Sequence, residues 1–393
     1  MIDIAVLDRL NASTREQRLR NLRESLASAV FPPAVPRYIN NHIHTTYSFS
    51  PYSPTAAVYA ARAEGLSTAG IVDHDSLAGA REFLDAAELL QMPVTVGMEC
   101  RASMKDTPME GRRLNNPDQS GICYMTIQSV PHDRIEEVQA FFAPYREARE
   151  QRNRLMTERI NRILPGIRLD YDREIRPLSM AREGGTVTER HILYALARKM
   201  LAQTGKGLPM VEYLTSIGLT LSEKQRTQML DESYPFYAYD LLGILKGAFV
   251  KQFYVDATEE CPDVRVLLSL CRKVDALLCY SYLGDVTASV TGDKLPQKFE
   301  DDYLEELIAC LKQLGIPAVT YMPTRNTPQQ LQRIRTLCEA NRLIQVSGED
   351  INSPRQSFVI RAMDNPAFAN LIDTTWMMIR HERDGEPFRL PPA

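Results

Sequence analysis

Paired cysteine, tryptophan and histidine are scarce in this chain. The seven cysteines, at positions 100, 123, 261, 271, 279, 310 and 338, form no CxxC and no paired spacing, which argues against a disulfide framework. No apolar run approaches the ~18 residues of a membrane-spanning helix, so no membrane partner is expected. There is no basic excess either: 46 Lys and Arg stand against 50 Asp and Glu, a net charge of −4. A long nucleic acid is therefore not expected as a standing partner, whereas a small phosphorylated compound held by a few local cations fits the balance. The opening "MIDIAVLDRLNAS" lacks the basic, apolar, small-residue order of a signal peptide, so reduced thiols in a cytoplasm are the expectation.

What the chain does have is a rhythm. Residues 1–37 read as a helical extension, with leucines at helical spacing and "FPPAVPR" ending it. From "RYINNHIH" onward, strand and helix alternate through "SPTAAVYAARAEG", "TAGIVDHD", "LAGAREFLDAAELLQ" and "MPVTVGMEC". That βαβαβ order argues for parallel strands, which present their chemistry at their C-terminal ends. Residues 38–130 form this first half. Residues 131–265 read as a mainly helical insertion, opened by the long amphipathic stretch "EEVQAFFAPYREAREQRNRLMTERINRIL". Alternation resumes over 266–393, with "LIQVSGEDIN" as the last strand.

The histidines that are present sit where chemistry is expected. Two of the six are His42 and His44, and residues i and i+2 of a strand point to the same side. Glu99 and Asp350 end two other strands of the same sheet. Two imidazoles and two carboxylates converging at one face suit a borderline divalent ion such as Zn, Mn or Fe(II).

Taken with their order along the chain, "NHIHTTYS", "IVDHDSLAG", "TVGMEC" and "GEDIN" resemble the motifs of the PHP family, named for polymerase and histidinol phosphatase. The resemblance covers about residues 38–101 and 275–356. It implies an α/β fold, a distorted (β/α)7 TIM-like barrel with a helical insertion. It also implies a metal cluster at the strand ends and phosphoester hydrolysis by metal-activated water. His42, His44, Glu99 and Asp350 match family metal ligands, with Glu99 in the bridging role. His74 matches a ligand histidine and is assigned a supporting catalytic role. The family aspartate after the HxH falls on Phe49, and the closing histidine on Asn352, so the resemblance implies a three-metal cluster reduced to one or two divalent ions. Further family histidines fall near Cys123 and Tyr280; Cys123, Tyr280 or Asp285 could replace lost ligands.

Phosphoester chemistry also needs cations near the non-reacting oxygens. The candidates are Arg190, Lys294, Arg325 and Arg355, each of which also reads as a solvated surface cation. Arg190 and His191 resemble the family's Arg-Pro-His step, with Glu189 on the family arginine. His191 is a candidate to contact phosphate or protonate a leaving group; a helix-cap or packing histidine is the other reading. The function expected is a metal-dependent phosphoesterase acting on a small phosphorylated compound or nucleotide. The alternative is a catalytically weak metal- or ligand-binding regulatory module on the same fold.

Overall fold

The computed structural model describes residues 3–164, 166–286 and 298–388. Two helices come first, α1 (Ile4–Leu10) and α2 (Arg15–Leu26). The leucine spacing alone suggests one helix, but the chain turns at Asn11, and the Thr14 hydroxyl caps a new start by accepting from Gln17 N. Then follow β1 (Val35–Ile43), α3 (Pro54–Ala63), β2 (Leu66–His74), α4 (Ala80–Leu89), β3 (Val94–Ser103) and β4 (Ile122–Gln128). Ser53 and Pro54 open α3 as cap and first residue, a pairing set by the missing proline N–H.

The insertion begins with α5 (Ile135–Phe141) and α6 (Ala143–Ile163). They would be one helix but for Pro144, which lies in the first turn of α6 and cannot continue the helix before it. Next come α7 (Glu189–Thr204), α8 (Leu208–Ser216), α9 (Glu223–Leu230), α10 (Tyr237–Phe253) and α11 (Val264–Val274). The alternation ends with β5 (Leu277–Ser281), α12 (Leu304–Leu314), β6 (Ala318–Tyr321), α13 (Pro328–Asn341), β7 (Ile344–Ser347) and α14 (Ala369–Asp384).

The seven strands form one sheet in chain order. Neighbours are parallel except at β4, which runs antiparallel to both β3 and β5. The sheet nearly closes on itself. His44 N donates to Ile351 O at 3.0 Å, and Ile351 N donates to His42 O at 3.1 Å. Gly348 allows this approach, since a Cβ there would lie 2.6 Å from the Cβ of His42. The fold is thus the distorted seven-stranded TIM-like barrel that the motifs imply.

Of the four apolar clusters among the described residues, two are large. The barrel's own includes Ile39, Ile71, Val96, Met98, Met125 and Val319. Helices α6 to α10 share another, built from residues such as Met156, Leu196, Met210, Leu245 and Phe249, while α5 and α11 pack in the barrel core. Among the described residues, Phe49 is the one member of this second core from outside residues 156–253. The N-terminal helices pack on α3 and α4 through a buried pair. Arg18 donates to Glu82 at 2.8 and 2.5 Å, and Glu82 also accepts from the Thr55 hydroxyl. His381, which lacks any motif context and reads as a surface residue, is buried instead. Its ring nitrogens lie 2.6 Å from Asp275 O and 2.7 Å from Glu386 O, because α14 packs across the barrel strands. Among the described residues no helix is long and apolar enough to cross a membrane.

Candidate metal centre

The end of β1 delivers His42 and His44, that of β2 His74, β3 Glu99, and the turn after β7 Asp350. Their donor atoms are close: His44 Nε2 lies 3.2 Å from Asp350 Oδ1 and 3.8 Å from Glu99 Oε2. His42 Nε2 is 3.9 Å and His74 Nδ1 3.1 Å from the same Glu99 oxygen. Ligands about 2.1 Å from a tetrahedral ion stand roughly 3.4 Å apart, so these spacings fit. Two overlapping groups can be drawn, His42–His44–Asp350 and His44–His74–Glu99, with His44 in both.

The surroundings prepare these atoms to ligate. Asp73 accepts from Thr45 N, the Thr45 hydroxyl and the Ser48 hydroxyl, each at 2.6 Å, and so fixes the loop after the HxH. With its proton given to Asp73, the Ser48 oxygen is left to accept from His44 Nδ1 at 3.1 Å. That puts the lone pair of His44 on Nε2, aimed at Asp350 and Glu99. His42 Nε2, His44 Nε2 and His74 Nδ1 are buried without a hydrogen-bond partner. Buried lone pairs facing carboxylate oxygens need a proton or a cation between them. Burial pushes His42 down to about 4 and His74 well below its ordinary value. It lifts Glu99 to about 7. Burial also works against charge on His44 and Asp350, but their mutual attraction outweighs it: His44 is raised and Asp350 held low. The donor set therefore fits a divalent ion.

The two departures from the family motifs have structural roles. Phe49 packs its ring against His191, Tyr194 and Tyr239, with centroids 4.9 to 5.7 Å apart. Asn352 Nδ2 donates to Asp350 Oδ1 at 2.5 Å, so it steadies that carboxylate. Cys123 is turned away from the site: its thiol reaches Ala102 O, is pushed up by burial and sits in the barrel core. Tyr280 is fully buried in that core, and Asp285 accepts from Phe299 N. The neighbour of Cys123, Tyr124, faces the site in its place. In the antiparallel pairing of β3 and β4, Tyr124 lies opposite Arg101, two residues past Glu99, and so shares its side of the sheet.

A cleft of about 230 Å³ opens over His42, His74, Glu99 and Asp350. Its cations are Arg101, Arg149, Arg190, Lys246 and Lys251. Of the cations expected from sequence, the structure brings Arg190 to this cleft. Its guanidinium favours the charged form of Asp350. Arg325 does not line the cleft; its Nε donates to Leu283 O at 3.3 Å. Arg355 is drawn off by Asp240, at 2.7 and 2.6 Å, and stacks on Tyr234. Lys294 lies outside the described residues. His191 does not line the cleft either; its Nδ1 accepts from Thr188 N at 2.9 Å in the capping box of α7. Arg101, Tyr124, Arg149 and Lys246 carry no spacing signal, and the sequence reading misses them.

No curated protein matches the chain. Several solved structures resemble it, among them the following two. One is a protein from Bifidobacterium adolescentis assigned as a metal-dependent phosphoesterase, with 19% identity and a TM-score of 0.53 over 84% of this chain and 96% of that one. The other is an amidohydrolase from Chromobacterium violaceum, solved with sulfate and no metal, with 15% identity and a TM-score of 0.55 over 86% and 96%. At these identities the likeness speaks for the barrel alone. The PHP domain profile, in contrast, matches residues 40–316, from the HxH strand through the insertion to α12. By that match, which takes in His42, His44, His74 and Glu99, the chain belongs to the PHP domain family.

Proposed function

We propose that the chain is a metal-dependent phosphoesterase acting on a small phosphorylated compound or nucleotide. The observation that carries this reading is the meeting, in one cleft, of an orphaned imidazole–carboxylate set with Arg190. His42, His44, Glu99 and Asp350 would hold the ion, with His74 beside Glu99. Such an ion supplies a water of lowered pKa and polarises a phosphoryl oxygen. The chain's own groups do the rest. Ser48 and Asp73 hold the His44 tautomer. Arg190 faces the charge that builds on the non-reacting oxygens. Tyr124 accepts from Arg101 Nη2 at 3.1 Å, which leaves its own proton for a substrate oxygen. The name of the Bifidobacterium neighbour agrees with this reading. That of the Chromobacterium neighbour points to another hydrolase class, but the cations of the cleft favour an anionic substrate.

The test is metal content by elemental analysis of the protein and of His42→Ala, with phosphate release measured on nucleotides and sugar phosphates in added Mn or Zn. One or two ions per chain, lost together with phosphate release in the variant, is the expected result. Tight metal binding with no release from any substrate would favour the second reading, a regulatory binding module. Phe49 and Asn352, which remove ligands of a second ion, support that alternative.

A further inference from the structure

Glu189 stands where the family motif has an arginine, and three arginines surround it. Its carboxylate accepts from Arg101 at 2.7 Å, Arg152 at 2.5 Å and Arg149 at 3.0 Å. Arg101 comes from β3 and the other two from α6, so barrel and insertion meet on this one residue. The network is charge-balanced. Glu260 accepts from Arg101 and Arg152, both at 2.6 Å, and Asp75 from Arg149 at 2.5 Å. Of the two glutamates that each join several arginines, Glu189 lines the cleft and Glu260 does not. Glu189 and Arg190 are the first two residues of α7, behind the Thr188 cap. Arg190 itself has no hydrogen bond or ion pair among the described residues. Its guanidinium lines the cleft and favours the charged form of Asp350.

We propose that Glu189 is a positioning residue for phosphate binding: clamped by Arg101, Arg149 and Arg152, it holds the first turn of α7 so that Arg190 faces the metal ligands. This rests on the phosphoesterase reading, in which Arg190 binds the phosphate. A short helix start held by three charge-assisted bonds has little freedom, and a guanidinium one residue away inherits that order.

The test measures what Arg190→Ala costs in three backgrounds. Inorganic phosphate is titrated calorimetrically into the Mn-loaded protein. The backgrounds are wild type, Glu189→Gln and Glu260→Gln. Both glutamine variants remove one charge from the same network, so a general change of field affects them alike. Arg190→Ala is expected to weaken phosphate about tenfold in wild type and in Glu260→Gln, but less than about twofold in Glu189→Gln, where Arg190 is already misplaced. An equal cost in all three backgrounds overturns the inference and leaves the phosphoesterase reading standing. No cost in wild type overturns Arg190 as the phosphate ligand, and the inference with it. If Glu189→Gln does not fold, Glu189→Asp takes its place. It keeps the charge but draws back from the arginines, and the cost of Arg190→Ala should again shrink; an undiminished cost there also overturns the inference.

Discussion

His44 carries more of the site than its partner in the HxH. It belongs to both ligand groups, and Ser48 fixes its tautomer. His44→Ala should therefore lower metal affinity more than His74→Ala, by on the order of tenfold or more, as read by competition with a chromogenic chelator. Glu99 gives the site a pH dependence. Its carboxyl is raised to about 7, so below that pH it is neutral and must lose a proton to ligate. His44, raised by Asp350, adds in the same direction, while His42, at about 4, stays neutral. Metal affinity should fall by on the order of tenfold or more from about pH 8 to about pH 6. A flat titration would show that Glu99 is not a ligand. His42, His44, Glu99 and Asp350 were all legible in the sequence, because strand parity and strand ends are local facts. Tyr124 was not. The family motif falls near neighbouring Cys123, whereas the pairing of Tyr124 with Arg101, which turns Tyr124 to the cleft, is non-local. Arg355 misled for a similar reason: its partner Asp240 lies far away in sequence, on a helix of the insertion.

At the scale of elements, local chemistry explains most boundaries. Thr188 and Thr327 cap α7 and α13 where their capping boxes are written. Strand order and the direction of β4 are non-local and were not legible. The helical extension of residues 1–37 is tied to the barrel helices by one buried contact. Arg18 on α2 and Glu82 on α4 are both almost fully buried, with side chains 3% and 1% exposed. Removing one partner strands the other charge in the interior. Arg18→Ala should cost about 3 kcal/mol in urea unfolding. A change within about 0.5 kcal/mol would mean that water reaches Glu82 freely. Tyr124→Phe tests the hydroxyl that the pairing of β3 and β4 brings to the cleft. It removes one hydroxyl and should lower phosphate release several-fold without changing metal content.

At the scale of the whole molecule, the two apolar cores set what can loosen separately. Leu245 is completely buried in the core of the insertion. Leu245→Ala should cost about 3 kcal/mol there. Amide exchange should then rise in α7 and α10 while β1–β3 stay protected. Uniform loss of protection would mean that barrel and insertion unfold as one. Phe49 decides how far that independence can go. A ring that the loop after the HxH has lent to the neighbouring core cannot simply be left behind. Trimming the insertion to make a minimal barrel would strand an aromatic side chain in water beside the HxH strand. The shortened protein would be sticky at its own active face. A designer would have to rewrite position 49 before deleting any helix, and the most natural replacement is the aspartate of the family motif.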